Sequence, residues 1–580
     1  MSLKIVLFFK NLAQKLKVSL RRFPEAIVLA VLTTIVLVAL NHADFADTHL
    51  REVLGRTAMA LALGIPLTLC FRMLFEKTEI KNKNIKVLVY FLGAISLVLY
   101  YFYLLPDFKI NHVTRYIALN VALYCGFAII PYFGKRPGFE QYVAFLIGQF
   151  LITALYSVVL FLGLIATVFT IDQLLFSLPS KIYFDIWLLV VGIFAPAFFL
   201  SDVPSHEEDL TGFEYSKVVK ALLSFIVLPL ITVYTAILYL YFAKILITRQ
   251  WPVGMVSHLV LWYSLVTIFV SFITYPMRNI NRWIKNFLVL IPKFIIPLLI
   301  MMFVAIGIRI KAYGVTENRY FVLITGIWAL GAIIYLSFVK EKKHVFLVFT
   351  LACVAVLAVF GPWSAYSISK LSQKARFEAI LERNQMLQNG TITKAPANIT
   401  DSDKQDLSSI VLYFNRYHDL EDLSYLPQGF EIQAMEDVFG FPADYYYTGS
   451  NRYFYFHAQD GMKLLDIREY DYFYDLSPRQ NMTGTIGSTL EVTYQPENKR
   501  LIIKQLGEEI YSKDLNEIGL KIYSQHKGKD HLSQEQLSFT DANQKLELLY
   551  LFRYLGGYAE LSSGNVVIDP LEFYLFIKLK

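Results

Sequence analysis

The sequence contains few charged residues and few cysteines. Asp, Glu, Lys and Arg make up 17% of its 580 residues, against about 25% in soluble globular proteins. This shortage excludes an ordinary soluble enzyme, a disordered chain and a fibrous repeat. All three cysteines, Cys70, Cys125 and Cys353, lie in apolar segments, so no disulfide framework or cysteine-based zinc site can form in the C-terminal part. An extracellular eukaryotic domain of this size usually carries disulfides, so a bacterial envelope protein is the simpler interpretation.

Familiar catalytic motifs are also missing from the sequence. It has no Walker loop, no GxSxG, no HExxH and no GxGxxG, which argues against familiar nucleotide-driven or hydrolase chemistry. The C-terminal part has no Lys/Arg stripe interleaved with stacking aromatics, so nucleic acid is not among the predicted partners. Catalytic residues and cofactors therefore stay unknown from the sequence, as does whether the protein is an enzyme.

Long apolar runs are what the sequence has in abundance. A membrane-spanning helix needs about 20 mainly apolar residues, and eleven segments meet that requirement. They are residues 24–41, 57–75, 86–105, 114–133, 142–170, 182–200, 218–246, 256–276, 287–308, 320–339 and 345–361. The lipid bilayer is therefore the first predicted partner.

The distribution of charge orients these spans. Residues 1–361 contain 32 Lys+Arg and 17 Asp+Glu, whereas residues 362–580 contain 22 and 30, so the net charges are +15 and −8. Because Lys and Arg concentrate on the cytoplasmic side, the six basic residues among the first 22 place the N-terminus in the cytoplasm. Eleven crossings then place the C-terminal domain outside, and one crossing more or fewer would reverse it. The predicted location is the bacterial cytoplasmic (inner) membrane.

The C-terminal part changes from a helical to a strand-like pattern. The segments SISKLSQKARFEAILERNQMLQNG and TDSDKQDLSSIVLYFNRYH are typical of helices, with Thr400 or Asp401 as the N-cap of the second. Beyond about residue 444, segments such as NRYFYFHA and RLIIKQL are typical of strands. The predicted fold is a membrane all-α bundle of about eleven transmembrane helices followed by a soluble α+β extracytoplasmic domain. Four domains are expected: a basic cytoplasmic N-terminal segment (1–23), a transmembrane domain (24–361), a juxtamembrane helical part (362–443) and a β-rich part (444–580).

One polar loop is a candidate metal site. His42, Asp44, Asp47 and His49 lie within eight residues of each other, and imidazole together with carboxylate can hold a divalent cation. The spacing matches no strong metal pattern, so an ordinary polar loop at the membrane interface is the favoured alternative.

Lys293 is the candidate polar residue within a span. It stands between Pro292 and Pro297, and prolines can break a helix and free carbonyls, as in transporter sites. The side chain is also close enough to a helix end to extend into water, which is the favoured interpretation. No Asp or Glu lies deep in any predicted span, which weakens a proton- or sodium-coupled transporter.

Four short motifs resemble a known family. They are WPVG at 251–254, YGVTENRY at 313–320, GPW at 361–363 and SISKLSQKARFEAIL at 367–381. Their order and spacing resemble the bacterial "domain of unknown function 4153" proteins over roughly residues 20–580, most specifically 215–390. The resemblance implies a polytopic protein of the bacterial cytoplasmic membrane, and it implies no activity, no cofactor and no catalytic residues.

The predicted topology brings these motifs to the outer face. We hypothesise that Trp251, Glu317, Asn318 and Arg319 line a ligand-binding site between the bundle and the C-terminal domain. An arginine there can bind a phosphate or carboxylate with two parallel hydrogen bonds. The alternative is that these residues only lock a loop to the C-terminal domain.

Three functions are consistent with the sequence. The favoured one is binding or handling of an envelope lipid, glycan or other anionic ligand at the outer face. The alternatives are a small-solute permease, and a membrane sensor or scaffold whose outer domain recruits partners. The oligomeric state is not indicated.

Overall fold

The structure is a computed structural model that describes most of the chain. It covers residues 14–580 except 16, 45–46, 135–136, 206–207, 209, 211, 213–214, 250–254, 389, 442, 444–446, 449–450, 459–465, 477–481, 487–488, 527–530 and 561–564. The chain divides into two compact units, Met1–Arg376 and Phe377–Lys580. The division falls at Arg376, and the four predicted domain limits stay predictions.

Ten helices among the described residues of the first unit are long and apolar enough to cross a membrane. They are α1 (Pro24–His42), α2 (Thr48–Lys77), α3 (Lys83–Leu104), α4 (Ile110–Tyr132), α5 (Phe139–Leu174), α6 (Lys181–Ser201), α7 (Lys217–Thr248), α8 (Val256–Met277), α9 (Arg282–Tyr313) and α10 (Glu317–Phe338). These helices, followed by a strand-rich region, confirm the predicted fold class.

The eleventh predicted span contains a shorter helix, α11 (Val345–Leu357). Its 13 residues rise about 20 Å, less than the hydrocarbon core of about 30 Å. The count of long apolar helices is therefore one below the number of spans predicted from the sequence.

Contacts with the two ends of α4 set the direction of α11. Near its start, the ring of Phe349 lies 6.0 Å from that of Phe133, which follows α4. Beyond its end, the carbonyl of Val359 accepts a hydrogen bond at 3.4 Å from Arg115, in the first turns of α4. The helix α11 therefore runs antiparallel to α4.

Contacts between loops sort the helix ends of the first unit into two faces. At one end, Arg22 binds the carboxylate of Glu76 through two nitrogens, at 3.0 and 2.8 Å, and the carbonyl of Pro204 at 2.9 Å. At the same end, the Nδ1 atom of His344 lies 2.6 Å from a carboxylate oxygen of Glu140. We call this end the N-terminal face, which comprises the described residues of 15–23, 76–86, 130–140, 202–216, 273–285 and 339–345.

Other contacts define the end away from the N-terminus. Asn41 donates to the carboxylate of Asp185 at 2.8 Å, and Arg56 donates to the carbonyl of Leu105 at 2.7 Å. We call this end the opposite face, which comprises the described residues of 40–48, 105–115, 172–185, 309–320 and 358–373. Loops alternate between the two faces along the chain.

The interior of the bundle is apolar and includes small hydroxyl side chains. α8 is the most buried of the ten long helices, and its Ser264, Thr267 and Thr274 are buried. Each donates to the carbonyl four residues earlier, so no hydroxyl is left without a partner at these positions. Small residues of this kind let neighbouring helices approach closely inside a membrane.

Three stretches of the long helices adopt π-helical geometry. They are Tyr100–Leu104 in α3, Val190–Phe194 in α6 and Leu222–Val227 in α7. Single π turns inside α-helices often occur at functional sites. In α6, the stretch brings Gly192 against the buried Thr34 of α1.

The second unit begins with a small helical core. Its helices are the end of α12 (Ala365–Arg383), α13 (Asp401–Tyr417) and α14 (Met435–Phe439), with short 3-10 turns at Leu420–Asp422 and Ile432–Ala434 and a hairpin of β1 (Leu387–Gln388) and β2 (Thr391–Ile392). Thr400 is the N-cap of α13, since its hydroxyl accepts from the N–H of Asp403 at 3.2 Å. Burial raises the pKa of the Asp403 carboxyl, but hydrogen bonds from Asn384 and Arg383 outweigh burial and lower it overall.

Two antiparallel arrays of strands make up the rest of the second unit. The larger sheet has the order β10-β4-β12-β13-β5, with β3 beside β4 and β11 beside β12, and the smaller has the order β6-β7-β8-β9. Only β10 and β4 pair in parallel among the described strands. The strands are β3 (Tyr447–Thr448), β4 (Asn451–Ala458), β5 (Tyr472–Leu476), β6 (Met482–Ile486), β7 (Leu490–Gln495), β8 (Arg500–Gln505), β9 (Glu508–Asp514), β10 (His531–Leu532), β11 (Ser538–Ala542), β12 (Leu546–Glu560) and β13 (Val566–Leu579), and helix α15 (Leu515–His526) joins β9 to β10.

One hydrophobic core joins both sheets and α15. Fully buried Leu501, Leu515 and Leu575 come from the smaller sheet, from α15 and from the larger sheet, and all three belong to the same cluster. The period-two pattern of the sequence therefore produces strands whose apolar faces share one interior.

Candidate functional site

The opposite face has an open groove of about 600 Å³. It is lined by the end of α1, the first turns of α2 and the loop between α3 and α4. The lining residues are Leu40, Thr48, Arg51, Glu52, Gly55, Asp107, Phe108 and Lys109. We call it the α1–α2 groove.

Local sequence builds this groove at the start of α2. Asp47 caps the helix by accepting from the N–H of Leu50 at 2.9 Å. The next turn carries Arg51, which lines the groove together with the α3–α4 loop. On the far side, Phe108 packs against Gly55, where a Cβ atom would lie 2.6 Å from the Phe108 Cζ atom. A side chain at Gly55 would therefore push Phe108 away, so glycine is needed for this wall.

Asp107 carries a fixed negative charge at the rim of the groove. Its carboxylate accepts from the N–H of Lys109 at 2.8 Å and lies 2.6 Å from Nδ1 of His112. Burial raises the pKa of Asp107, but these two hydrogen bonds outweigh burial and hold the pKa below its ordinary value. The two hydrogen bonds of Asp107 therefore stabilise the loop between α3 and α4.

The groove combines an apolar wall with charged groups. Leu40 and Phe108 supply apolar surface, and Arg51 and Lys109 supply cations. Apolar surface with a few convergent polar groups is the usual character of a ligand site. Glu52 and Asp107 belong to the same lining, so the groove offers an apolar wall beside charges of both signs.

The predicted metal loop lies at the same face, and two of its four residues have separate partners. His42 Nε2 lies 2.7 Å from the carboxylate of Asp185 on α6, and Asp47 caps α2. Within the described ranges there is no group of three or more His, Cys, Asp or Glu side chains arranged to hold a metal ion. A site formed by His42, Asp44, Asp47 and His49 stays a prediction.

The YGVTENRY motif forms a clasp between the end of α9 and α12. Arg319 donates to the carbonyls of Tyr313 at 3.1 Å and Gly314 at 2.8 Å. Gln373 of α12 donates to the carbonyls of Tyr313 and Val315, at 3.0 and 2.9 Å. The carbonyls that the end of α9 leaves unpaired are therefore satisfied by side chains. This capping explains part of the YGVTENRY motif.

The structure describes three of the four residues of the predicted ligand site around Arg319. Glu317 and Asn318 form the first turn of α10, with Asn318 exposed, and Trp251 lies outside the described residues. Arg319 contacts backbone carbonyls in the clasp. A ligand at these four residues stays a prediction.

Lys293 lies on an exposed side of an unbroken helix. α9 continues through both Pro292 and Pro297, so these prolines do not break it as the transporter hypothesis requires. The hydroxyl of Tyr239 donates to the carbonyl of Phe294 at 2.8 Å, beside the position where Pro297 lacks an N–H. Pro297 withdraws the N–H that would pair with the carbonyl of Lys293, so this bond reaches the adjacent carbonyl and not the freed one.

Sequence reasoning missed a buried pair at the N-terminal face. Glu140 begins α5, and His344, which is 1% exposed, precedes α11. They are 204 positions apart in the sequence, so no local pattern joins them. The available signal was weak, since each is one of several polar residues at the start of an apolar segment.

Ten long apolar helices with loops alternating between two faces define a multi-pass membrane protein. The chain matches the Domain of unknown function (DUF4153) over residues 20–391, more than half of its length, and it belongs to that family. The predicted family resemblance is thus confirmed.

The chain is also similar to a curated protein, "Uncharacterized protein PM1469" of Pasteurella multocida (strain Pm70). The two are 27% identical over 230 residues, which are 40% of this chain and 38% of that protein. The match therefore covers well under half of the relative's length. No solved structure matches the chain.

Proposed function

We propose that this protein binds an anionic amphiphile, such as an envelope lipid or a lipid-linked glycan, in the α1–α2 groove. The proposal places the protein in the bacterial cytoplasmic membrane, with the opposite face and the C-terminal unit outside. The observation that carries it is an open cavity of about 600 Å³ with both cations and apolar walls.

The position of the groove supports an amphiphile over a wholly water-soluble ligand. It lies within the first turns of α2 and beside the end of α1, and both helices are apolar enough to span a bilayer. A head group there meets Arg51 and Lys109 while the acyl chains stay in the bilayer. Guanidinium and ammonium groups bind phosphate through charge-assisted hydrogen bonds.

The permease alternative loses its main sequence argument. It depended on a helix broken at residues 292–297, and α9 is continuous there. The sensor or scaffold alternative has no specific contact in its favour within the described residues. Binding in the groove is therefore the function that the geometry favours.

The test is lipid binding by the purified full-length protein. Native mass spectrometry would count bound dioleoylphosphatidylglycerol, with dioleoylglycerol as the matched lipid without a phosphate. We expect the phosphate-bearing lipid to bind, and the double variant Arg51→Gln/Lys109→Gln to bind about tenfold more weakly, because it loses two charge-assisted contacts.

The matched control changes two cations elsewhere near the opposite face. Lys244 and Arg249, at the end of α7, are exposed and lie outside the groove. The variant Lys244→Gln/Arg249→Gln removes the same charge and is expected to bind like the native protein. Equal binding by both double variants would show that the groove is not the site.

A further inference from the structure

Three side chains that can carry positive charge surround one aromatic ring at the N-terminal face. The ring belongs to Tyr275, in the 3-10 turn that ends α8. The guanidinium carbon of Arg278 lies 4.3 Å from the ring centroid and the ammonium nitrogen of Lys342 lies 5.6 Å from it. The imidazole of His344 packs against the same ring with centroids 4.5 Å apart. We call these four residues the Tyr275 cluster.

Positive charge in the cluster exceeds negative charge. Glu140 pairs with His344, and in the part of the chain that the structure describes no carboxylate forms an ion pair with Arg278 or Lys342. Apart from the ring, Arg278 donates a 3.4 Å hydrogen bond to the Tyr275 carbonyl, and its charge also acts on the carboxylate of Glu140. Burial, and then the nearby charge of Arg278, lower the pKa of Lys342. Two cations held together in this way favour an anion between them.

His344 supplies a second, independent observation. Its side chain is fully buried and its Nδ1 atom is taken by Glu140. The Nε2 atom is buried and has no hydrogen-bond partner among the residues described. A buried polar atom left unpaired costs about 1–3 kcal/mol, so a partner for Nε2 is expected. When the ring carries both protons, Nε2–H is a donor.

We propose that the Tyr275 cluster binds a phosphate group. Arginine offers a planar fork of donors that matches phosphate, and lysine adds a compact point charge. The exposed Arg278 and half-buried Lys342 are accessible to a phosphate, which belongs to either a lipid head group or a free phosphate in solution. This site lies at the other end of the bundle from the α1–α2 groove and does not depend on the proposed function.

The experiment measures binding by the full chain in two arms. One arm titrates inorganic phosphate and follows the melting temperature in detergent. The other compares dioleoylphosphatidic acid with dioleoylglycerol, which has the same acyl chains and no phosphate, by native mass spectrometry. We expect binding in at least one arm, and the variant Arg278→Gln/Lys342→Gln is expected to weaken it about tenfold or more.

The control variant Lys285→Gln/Lys340→Gln removes two exposed cations from the same face and is expected to bind like the native protein. Binding of phosphatidic acid alone identifies a lipid head group, and binding of both ligands identifies a general phosphate site. If neither ligand binds, or if both double variants bind equally, the proposal is wrong.

Folding of the cluster variant is checked separately. Its melting temperature without ligand should stay close to that of the control variant. The single variant Arg278→Lys keeps the charge and loses the planar fork, so it is expected to bind with intermediate strength. Full binding by Arg278→Lys together with full binding by the double variant would also contradict the proposal.

Discussion

Arginine side chains at the opposite face share one structural task. Arg56 donates to the carbonyl of Leu105 at the end of the π-helical stretch in α3, Arg115 donates to the carbonyl of Val359, and Arg319 donates to the end of α9. In each case a guanidinium satisfies a carbonyl where a helix or turn ends. Charged residues near the ends of spans therefore stabilise chain reversals as well as orienting the helices.

Arg319→Ala is expected to destabilise the first unit. The variant loses hydrogen bonds to the carbonyls of Tyr313 and Gly314, and bonds from a charged donor contribute about 1.5–3 kcal/mol each at most, less when exposed. We expect a lower melting temperature in detergent. Asn318→Ala, which removes an exposed neighbour, is the control.

The hypothesis that Arg319 binds a ligand makes a different prediction. If Arg319→Ala leaves the melting temperature at the Asn318→Ala value while binding of an anionic lipid falls, the clasp is not its main role. The outcome therefore separates capping from ligand binding at this position.

At the scale of elements, the sequence predicts the length and apolar character of the helices. It does not predict the backbone geometry within them. Ten of the eleven predicted spans are long helices, because a bilayer requires about 20 apolar residues in a row. The π-helical stretches have no such signal, since they depend on how neighbouring helices pack. Likewise, Pro292 and Pro297 suggested a break in α9, and the helix continues through both.

Gly192→Ala is expected to destabilise the bundle. A Cβ atom at this position would lie 2.1 Å from the hydroxyl oxygen of Thr34, so the helices must separate, and overpacking of this kind costs about 1–3 kcal/mol. The double variant Gly192→Ala/Thr34→Ala removes the clash and should recover most of the loss in melting temperature.

The matched control is Gly163→Ala in α5, where no other atom lies within 4 Å of the added Cβ atom. This substitution should leave the melting temperature unchanged or slightly raised, since alanine favours helix. Equal effects at both glycines would mean that the contact between α1 and α6 is not tight.

At the scale of the whole molecule, the sequence predicted the class of protein and the order of its parts. It could not pair residues that are distant in the chain, such as Glu140 with His344, because no spacing rule joins them. The sequence could not predict the α1–α2 groove for the same reason, since its walls come from two stretches that are separate in the chain. Tertiary contacts, which a single sequence does not record, decide both.

Membrane topology is the prediction that belongs to this scale. Because α11 runs antiparallel to α4, we predict eleven passages and a C-terminal unit outside. Ser524, exposed on α15, serves as the reporter. In a chain whose Cys70, Cys125 and Cys353 are replaced by Ala or Ser, Ser524→Cys should react with a membrane-impermeant maleimide in intact spheroplasts.

The control is Thr78→Cys, since Thr78 is exposed at the N-terminal face. This cysteine should react only after lysis. Reaction of both positions only after lysis would put the C-terminal unit in the cytoplasm and contradict the predicted topology.

The distance in sequence between Glu140 and His344 has a consequence during synthesis. The two residues are 204 positions apart, and ribosomes add about 5–20 residues per second. His344 is therefore synthesised on the order of 10–40 s after Glu140. During that interval α5 and five further helices are synthesised while the start of α5 lacks its ion pair. Closure of the bundle at the N-terminal face is therefore a late event, completed only after the segment before α11 has left the ribosome.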